Sequence, residues 1–330
     1  MGARNDMGTA VQKKNRVLEI FYRIMKGENI SVKKMADEYH VSAKSISRDI
    51  AEIKNFLSDS RDIVGNAELR YSSSSKSYYI EFDNFLLSKE LLAIMKVMVG
   101  SRALKKMDVL KLISKLKSFT SSHDRNMMEH LLAKEMYHYN EVSQDCESLI
   151  DNIWKLTQCI YERTEISVTY FKTDRRMVER RLKPIAIIFS EYYFYLIAYH
   201  SDKTDWKPLF YRVDRITHII EHRTHFLIDR EHDFDEGELR SKIQFMFAGE
   251  YRRIKFEYNG PSVQAILDKI PTARVVGMQG NTKIIEAEVY GKGINMFLLS
   301  QGNMIKILEP RALIDEIIAE TQDILRQYTN

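Results

Sequence analysis

The dominant repeat of the apolar residues changes near Thr164, and that change constrains the fold more than any single motif. Before it most recur every three or four residues, which sets them in one stripe along a helix; after it, as far as Arg252, they alternate, which sets them on one face of a strand. A helix-rich front joined to a strand-rich rear predicts an α+β chain built from several domains. The 330 residues leave room for two or three of them, each burying its own core. No period of 20–50 residues recurs, which argues against a solenoid or propeller.

Within the front, Val17, Ile20, Phe21 and Ile24 form a first helical stripe, ended by Gly27-Glu28-Asn29. Ser31 is placed to cap a short second helix running to Tyr39, and a turn at His40-Val41 leads to a third, capped by Ser42 and reaching about Leu57. Glu68–Tyr71 and Ser77–Phe82 then alternate around the serine run 72–75 and Lys76, a β-hairpin pattern. In the third helix Ile46, Ile50, Ile53 and Leu57 share one face, and Lys44, Ser45, Ser47 and Arg48 crowd the other near the N-terminus. Short polar and basic side chains there can reach base edges in a major groove, while terminal N–H groups meet phosphate. A solvated face of an ordinary helical domain has the same pattern. The hairpin after it, with Lys76 near its tip, turns the reading toward a winged helix-turn-helix. Ser42, Lys44, Ser45, Ser47, Arg48, Lys54 and Lys76 are the candidate DNA contacts. The total charge does not help, because 50 basic against 46 acidic residues leave only +4. Where the charges lie must decide.

Residues 88–161 are helical throughout and contain no Pro, with Leu91, Leu92, Met95 and Met98 opening the pattern and Leu149–Ile160 closing it. Their methionine-rich faces read as core or dimer surface rather than a cofactor box. Past Thr164 come six short strand candidates, Ile166–Tyr170, Val178–Leu182, Ile185–Phe189, Tyr193–Tyr199, Leu209–Val213 and Thr217–Ile220, at the density of a small barrel or sandwich. From Arg252 the order is βαββαβ with a tail helix from Pro310 to Tyr328, ferredoxin-like in outline, and Asn259-Gly260-Pro261 opens its first helix with Pro near N1.

Enzyme and metal signatures are missing. No Gly-x-Ser-x-Gly, His-Glu-x-x-His or Cys-x-x-Cys occurs, and Gly291-Lys292-Gly293 lacks the context of a phosphate-binding loop. The acids Asp229, Glu231, Asp233, Asp235, Glu236 and Glu238 do not follow calcium-loop spacing and read as a solvated loop. His218, His222 and His225 lack a fourth zinc ligand, and Trp154 and Trp206 read as packing residues. The expectation is a non-enzyme with no cofactor and no metal. The first fifteen residues have no apolar h-region and the longest apolar runs are far below membrane-spanning length, so neither secretion nor a membrane is expected. Two cysteines, Cys146 and Cys159, fit a reducing cytoplasm.

Ser45-Ile46-Ser47-Arg48-Asp49-Ile50 resembles the T-I-x-R-D-L recognition-helix signature of bacterial winged-helix regulators, with Ser45 in the Thr place. Arg181-Leu-Lys183-Pro184, Phe194-Tyr195-Leu196 and Phe210-Tyr-Arg212-Val-Asp214-Arg215 resemble the WYL domain, named for its Trp-Tyr-Leu triplet; here Phe194 replaces the Trp. Leu298–Gly302 and Leu308-Glu309-Pro310 resemble the extension that follows that domain in the same regulators. The resemblance implies a homodimeric bacterial transcription regulator with a winged helix-turn-helix over 1–83, a helical linker and dimerisation region over 84–163, an Sm-like WYL barrel over 164–245 and a C-terminal extension over 246–330. It also implies that the barrel senses an anion, with nucleotide or nucleic acid as the leading class. Arg212 and Arg215 suit bidentate phosphate contacts and Tyr195 offers a ring and a hydroxyl, with Arg181, Lys183 and His200 as further candidates. On a regular strand, however, Arg212 and Arg215 face opposite sides, as do Tyr195 and His200. Arg215 has a structural alternative, an ion pair with Asp214 or Glu221. A protein that binds single-stranded nucleic acid or RNA through the barrel, and a nucleic-acid-processing enzyme, are the competing functions.

Overall fold

The computed structural model describes residues 3–64, 67–82, 86–120, 122–203, 206–228, 236–243, 247 and 249–329, which fall into two units, Met1–Val142 and Ser143–Asn330. The acidic run from Asp229 to Asp235 lies outside the described residues. Helices and several antiparallel sheets coexist, so the chain is α+β.

The N-terminal unit opens with α1 (Ala3–Met25), α2 (Val32–Glu38), α3 (Ala43–Asp59) and the single turn α4 (Arg61–Val64), followed by the antiparallel hairpin β1 (Ala67–Ser72) and β2 (Ser77–Phe82). The predicted stripes converge: Ile20 and Ile24 of α1, Met35 of α2, Ile46, Ile50, Ile53 and Leu57 of α3, and Leu69 of β1 form one buried cluster. Ser42 caps α3 as expected, its hydroxyl accepting from the Ser45 N–H at 3.1 Å, whereas Ser31 precedes α2 without a side-chain cap bond. Ile30 exchanges two backbone hydrogen bonds with Tyr78, which fixes the hairpin against the helices. Asp49 of α3 is fully buried and meets the Arg16 guanidinium of α1 at 2.6 Å. A buried carboxylate is tolerable only with such a partner.

Then come α5 (Ser88–Ser101), α6 (Lys106–Lys117) and α7 (Ser122–Tyr137), packed around Leu91, Met95, Val99, Val109, Ile113, Met128, Leu132 and Met136. Met95, Met128 and Met136 are core, while Met107 and Met127 are exposed.

The second unit begins with α8 (Leu149–Tyr161), which sequence assigned to the linker. Its structural place is with the strands, since Asn152 Nδ2 donates to the Ile216 carbonyl at 2.8 Å and Lys155 Nζ to that of Ile219 at 2.9 Å. Five strands follow, β3 (Thr164–Phe171), β4 (Met177–Ser190), β5 (Tyr193–His200), β6 (Leu209–Arg212) and β7 (Ile216–His225), in the antiparallel order β6-β5-β4-β3-β7. Two of the six predicted strands are one: Val178–Leu182 and Ile185–Phe189 run through Pro184, where a register shift in the β4–β5 ladder accommodates the missing N–H. β6 and β7 lie at opposite edges yet are joined only by the tight turn Val213–Arg215. Flat edges of a five-stranded sheet stand about 19 Å apart, and the four residue steps from Arg212 to Ile216 reach at most about 14 Å. The sheet must therefore curl around its core. Cys159 is buried on α8, and that burial pushes its thiol up to about 11.

The remainder comprises α9 (Glu236–Lys242), β8 (Tyr251–Tyr258), α10 (Val263–Lys269), β9 (Arg274–Gln279), β10 (Thr282–Tyr290), α11 (Gly293–Ser300), β11 (Ile305–Glu309) and α12 (Arg311–Thr329). From β8 the order is the predicted βαββαβ, with a sheet arranged β11-β8-β10-β9 and entirely antiparallel. α10 starts two residues later than predicted, capped by Ser262, whose hydroxyl accepts from the Ala265 N–H. Glu316 of α12 takes both Arg252 guanidinium nitrogens at 2.9 Å and a further bond from Asn295 Nδ2. The Arg252 hydrogen bonds, reinforced by Asn295, hold the Glu316 carboxyl well below its ordinary range, at about 2.

Two predictions arise here. Asp49→Ala leaves Arg16 without its acid and should cost the N-terminal unit about 3 kcal/mol, read by urea unfolding of the full chain. Because the folded Glu316 titrates near 2 against 4.5 unperturbed, its stabilisation is complete above about pH 4.5 and is lost as pH falls toward 2. Glu316→Gln should flatten the acid limb of the stability profile over that window and lower stability at neutral pH.

Candidate functional site

Two groups of polar side chains stand on rigid supports. The first is the outer face of α3. Lys44, Ser47, Arg48, Ala51, Lys54 and Asn55 are exposed, while Ile46, Asp49, Ile50 and Ile53 point inward. At 100° per residue, Lys44, Arg48, Ala51 and Asn55 line up in one stripe, so Ala51 and Asn55 join a face whose sequence reading stopped at Arg48 and Lys54. Arg48 and Asp49 are neighbours with opposite fates. The Ser42 and Ser45 hydroxyls contact each other at 2.9 Å and serve the cap, and the Ser47 hydroxyl donates back to the Ala43 carbonyl. The one exposed acid between Lys44 and Asn55, Glu52, is met by Lys13 of α1 at 2.8 Å. Among the described residues, Lys44, Arg48, Lys54 and Lys76 make no ion pair. Lys76 sits at the hairpin turn with φ +48°, exposed. Lys54 borders a cleft of about 510 Å³ together with Arg61, Arg70 and Tyr71.

The second group lines a cleft of about 590 Å³ on the curled sheet, with Tyr170, Phe171, Tyr195, Phe210 and Tyr211 as its aromatic wall and Lys172, Arg212 and Arg215 as its cations. Tyr195 and Arg212 are register partners across β5 and β6, so they share a face. The opposition expected between Arg212 and Arg215 is resolved by the Val213–Arg215 turn, which ends the strand and brings both arginines to the same cleft. Arg212 is heavily committed: Nε and Nη2 bond the Asp214 carboxylate at 3.1 and 2.6 Å, and its guanidinium lies 3.5 Å from the centre of the Tyr193 ring. Burial opposes the Arg212 cation, but the Asp214 pair more than offsets it, and the net shift is upward. Burial likewise raises the phenols of Tyr170, Tyr195 and Tyr211 above their ordinary value. Arg215 takes neither expected acid: its Nη1 donates to Thr173 Oγ1 at 3.2 Å, and Lys155 meets Glu221 at 3.4 Å.

The other three candidates lie elsewhere. Arg181 bonds Glu165 at 2.8 Å, Lys183 lies over the Trp206 ring at 4.9 Å, and His200 faces Asp202 and the Tyr211 hydroxyl. Sequence reasoning missed Tyr193, which stacks on Arg212, and Lys172 and Thr173, which lie in the turn between β3 and β4. Tyr193 was within reach, because it precedes Tyr195 by two and so shares its face. Of the three histidines, His222 contacts Ser167 Oγ and His225 the Glu162 carbonyl; among the described residues no three His, Cys, Asp or Glu groups converge as a metal site.

Residues 151–220 match the model of the WYL domain, so the chain contains one, extending from α8 into β7. In its Phe194-Tyr195-Leu196 triplet, Phe194 packs on Phe189 at 4.9 Å, Leu196 is buried and Tyr195 enters the cleft. No curated protein matches the chain. Among solved structures, proteasome accessory factor B/C (PafBC) of Arthrobacter aurescens is similar at 16% identity and TM-score 0.28, covering 91% of this chain and 46% of that one. This chain thus spans about half the length of that protein. A CRISPR Cas-related protein is similar at 17% identity and TM-score 0.36, covering 75% of this chain and 76% of that one. Overlaps this low carry no argument. Among the described residues no helix is long and apolar enough to cross a membrane.

The commitments of the two arginines differ, and so should their substitutions. Arg212→Ala leaves Asp214 buried without a counter-charge and should destabilise the second unit by about 3 kcal/mol, whereas Arg215→Ala should stay within about 0.5 kcal/mol of wild type. Chemical unfolding of the full chain reads both.

Proposed function

We propose that this protein is a homodimeric, sequence-specific DNA-binding transcription regulator whose WYL domain senses an anionic ligand, a nucleotide or nucleic acid. On this reading residues 1–83 are a winged helix-turn-helix, the curled sheet is an Sm-like barrel and the βαββαβ region is a ferredoxin-like extension. The protein is a bacterial, cytoplasmic non-enzyme that needs no cofactor.

One observation carries the reading: the outer face of α3 holds Lys44, Arg48 and Lys54 exposed and without an ion pair among the described residues, while Asp49 and four apolar residues anchor the opposite face. Unpaired cations on a fixed helix lose nothing within the protein when they meet phosphate, and each contact releases condensed counterions. On this reading Arg48 reaches base edges and Lys54 and Lys76 meet backbone phosphate. In the WYL domain, aromatic rings beside Arg215 and Lys172 supply stacking and anion contacts together, which favours nucleotide chemistry over a simple inorganic anion. Exposed Ile94 and Val97 on α5 offer apolar surface for a second copy.

The test is direct. Duplexes selected in vitro from a random pool by the full chain should share a pseudo-palindromic site. Arg48→Ala should weaken binding to that site by about tenfold or more, and Lys54→Ala should reduce the slope of log K against log salt by about one. Unchanged duplex binding in Arg48→Ala, with single strands bound as tightly, would instead support direct use of the barrel.

A further inference from the structure

The chain passes from one unit to the other through residues 139–147, and both ends of that passage are fastened. On the N-terminal side, the Tyr139 hydroxyl donates to the Leu104 carbonyl at 2.7 Å, Arg102 Nε to the Asn140 carbonyl at 2.6 Å, and the Val142 N–H to the Arg102 carbonyl at 3.2 Å. On the other side, the N–H groups of Asp145 and Cys146 both donate to the Asp214 carbonyl, at 2.9 and 3.0 Å. The Asp145 carboxylate also receives Arg175 Nη1 at 2.9 and 3.1 Å. Only Ser143 and Gln144 lie between the two sets of bonds.

The second set holds the two walls of the WYL cleft. Asp214 belongs to the turn that carries Arg215 and clamps Arg212, and Arg175 belongs to the turn that carries Lys172 and Thr173. Those turns are joined across the cleft by the 3.2 Å bond between Arg215 and Thr173. An anionic group that engages Arg215 competes with that bond and so shifts one wall relative to the other.

We propose that residues 143–147 are a strap that reports the state of this cleft to the N-terminal unit, with Asp214, Asp145 and Arg175 as its positioning residues. The proposal rests on the reading of the cleft as a sensor. Because Asp145 is tied to both turns, the strap shifts when they part, and only Ser143 and Gln144 separate it from Val142. The signal is a change in the balance of two arrangements, biased by whatever occupies the cleft.

Hydrogen exchange on the full chain tests this without ligand or DNA. Removing the cross-cleft bond by Arg215→Ala should accelerate exchange at least fivefold in 143–147 and at least twofold in 139–142, with β8 and β10 unchanged, and Arg215→Lys should return part of the protection. Asp214→Asn should give the larger change in the same segments; if β8 and β10 accelerate as well, that variant has unfolded and Arg215→Ala decides. Wild-type exchange in either segment of the Arg215→Ala protein overturns the strap. Such a result leaves the regulator reading intact, since that reading fails on a different measurement, the duplex binding of Arg48→Ala.

Discussion

A carboxylate taken out of water must be met in kind, and the second unit is arranged around one such group. Asp214 is buried in the turn that carries the curled sheet from one edge to the other. Its side chain holds Arg212 by two hydrogen bonds, and its carbonyl takes two backbone N–H groups from the segment that leads in from the first unit. Desolvating an acid of this kind costs several kcal/mol, which only a partner at hydrogen-bond distance offsets. The turn is therefore held from three directions: by Arg212, by the strap, and by Val213 and Ile216 in the core. Closure of the sheet, placement of Tyr195 against Arg212 and the seat of Asp145 and Cys146 on the turn all follow from where that acid sits.

The same rule sorts the cations. Arg212 and Arg215 are three residues apart, yet one is a structural counter-charge and the other a hydrogen-bonded but acid-free group at the cleft mouth. In the N-terminal unit Arg48 and Asp49 divide likewise, the acid turned in toward Arg16 and the base turned out. A guanidinium already bound to a buried carboxylate can present an edge or a face to a ligand, but it cannot be given up without stranding its partner. On the proposed reading an anion entering the cleft meets Arg215 and Lys172, while Arg212 stays clamped to Asp214 and stacked on Tyr193.

What could be read from sequence was whatever depends on period and local capping. The change of repeat at Thr164, the three helices and hairpin, the inward Ile46-Ile50-Ile53-Leu57 face and the βαββαβ order are all repeated patterns whose meaning is local. What could not be read depends on contacts between distant segments. The parity of Arg212 and Arg215 was decided by a turn that only closure of the sheet demands. Arg181, Lys183 and His200 were grouped with the cleft by charge alone, and Glu165, Trp206 and Asp202 claim them instead. Val178–Leu182 and Ile185–Phe189 read as two strands because the shifted ladder that carries one strand through Pro184 is not visible in sequence. α8 looked like linker because its buried stripe does not say which body it is buried against.

Where the charges lie separates two faces that a net charge of +4 does not. On the sheet of the C-terminal region, bases and acids alternate across strands: Arg253 meets Glu288, Lys255 and Arg274 meet Glu286, and Lys306 meets Glu257. A polyanion approaching that face would have to displace an acid for every base it engaged, and each exposed pair is already worth little, so the exchange gains almost nothing. On α3 no displacement is needed, because the neighbouring acids are either buried with Arg16 or held by Lys13. Two faces of similar basic content thus differ in what they can bind, and the difference lies in the pairing of their acids rather than in the number of their bases.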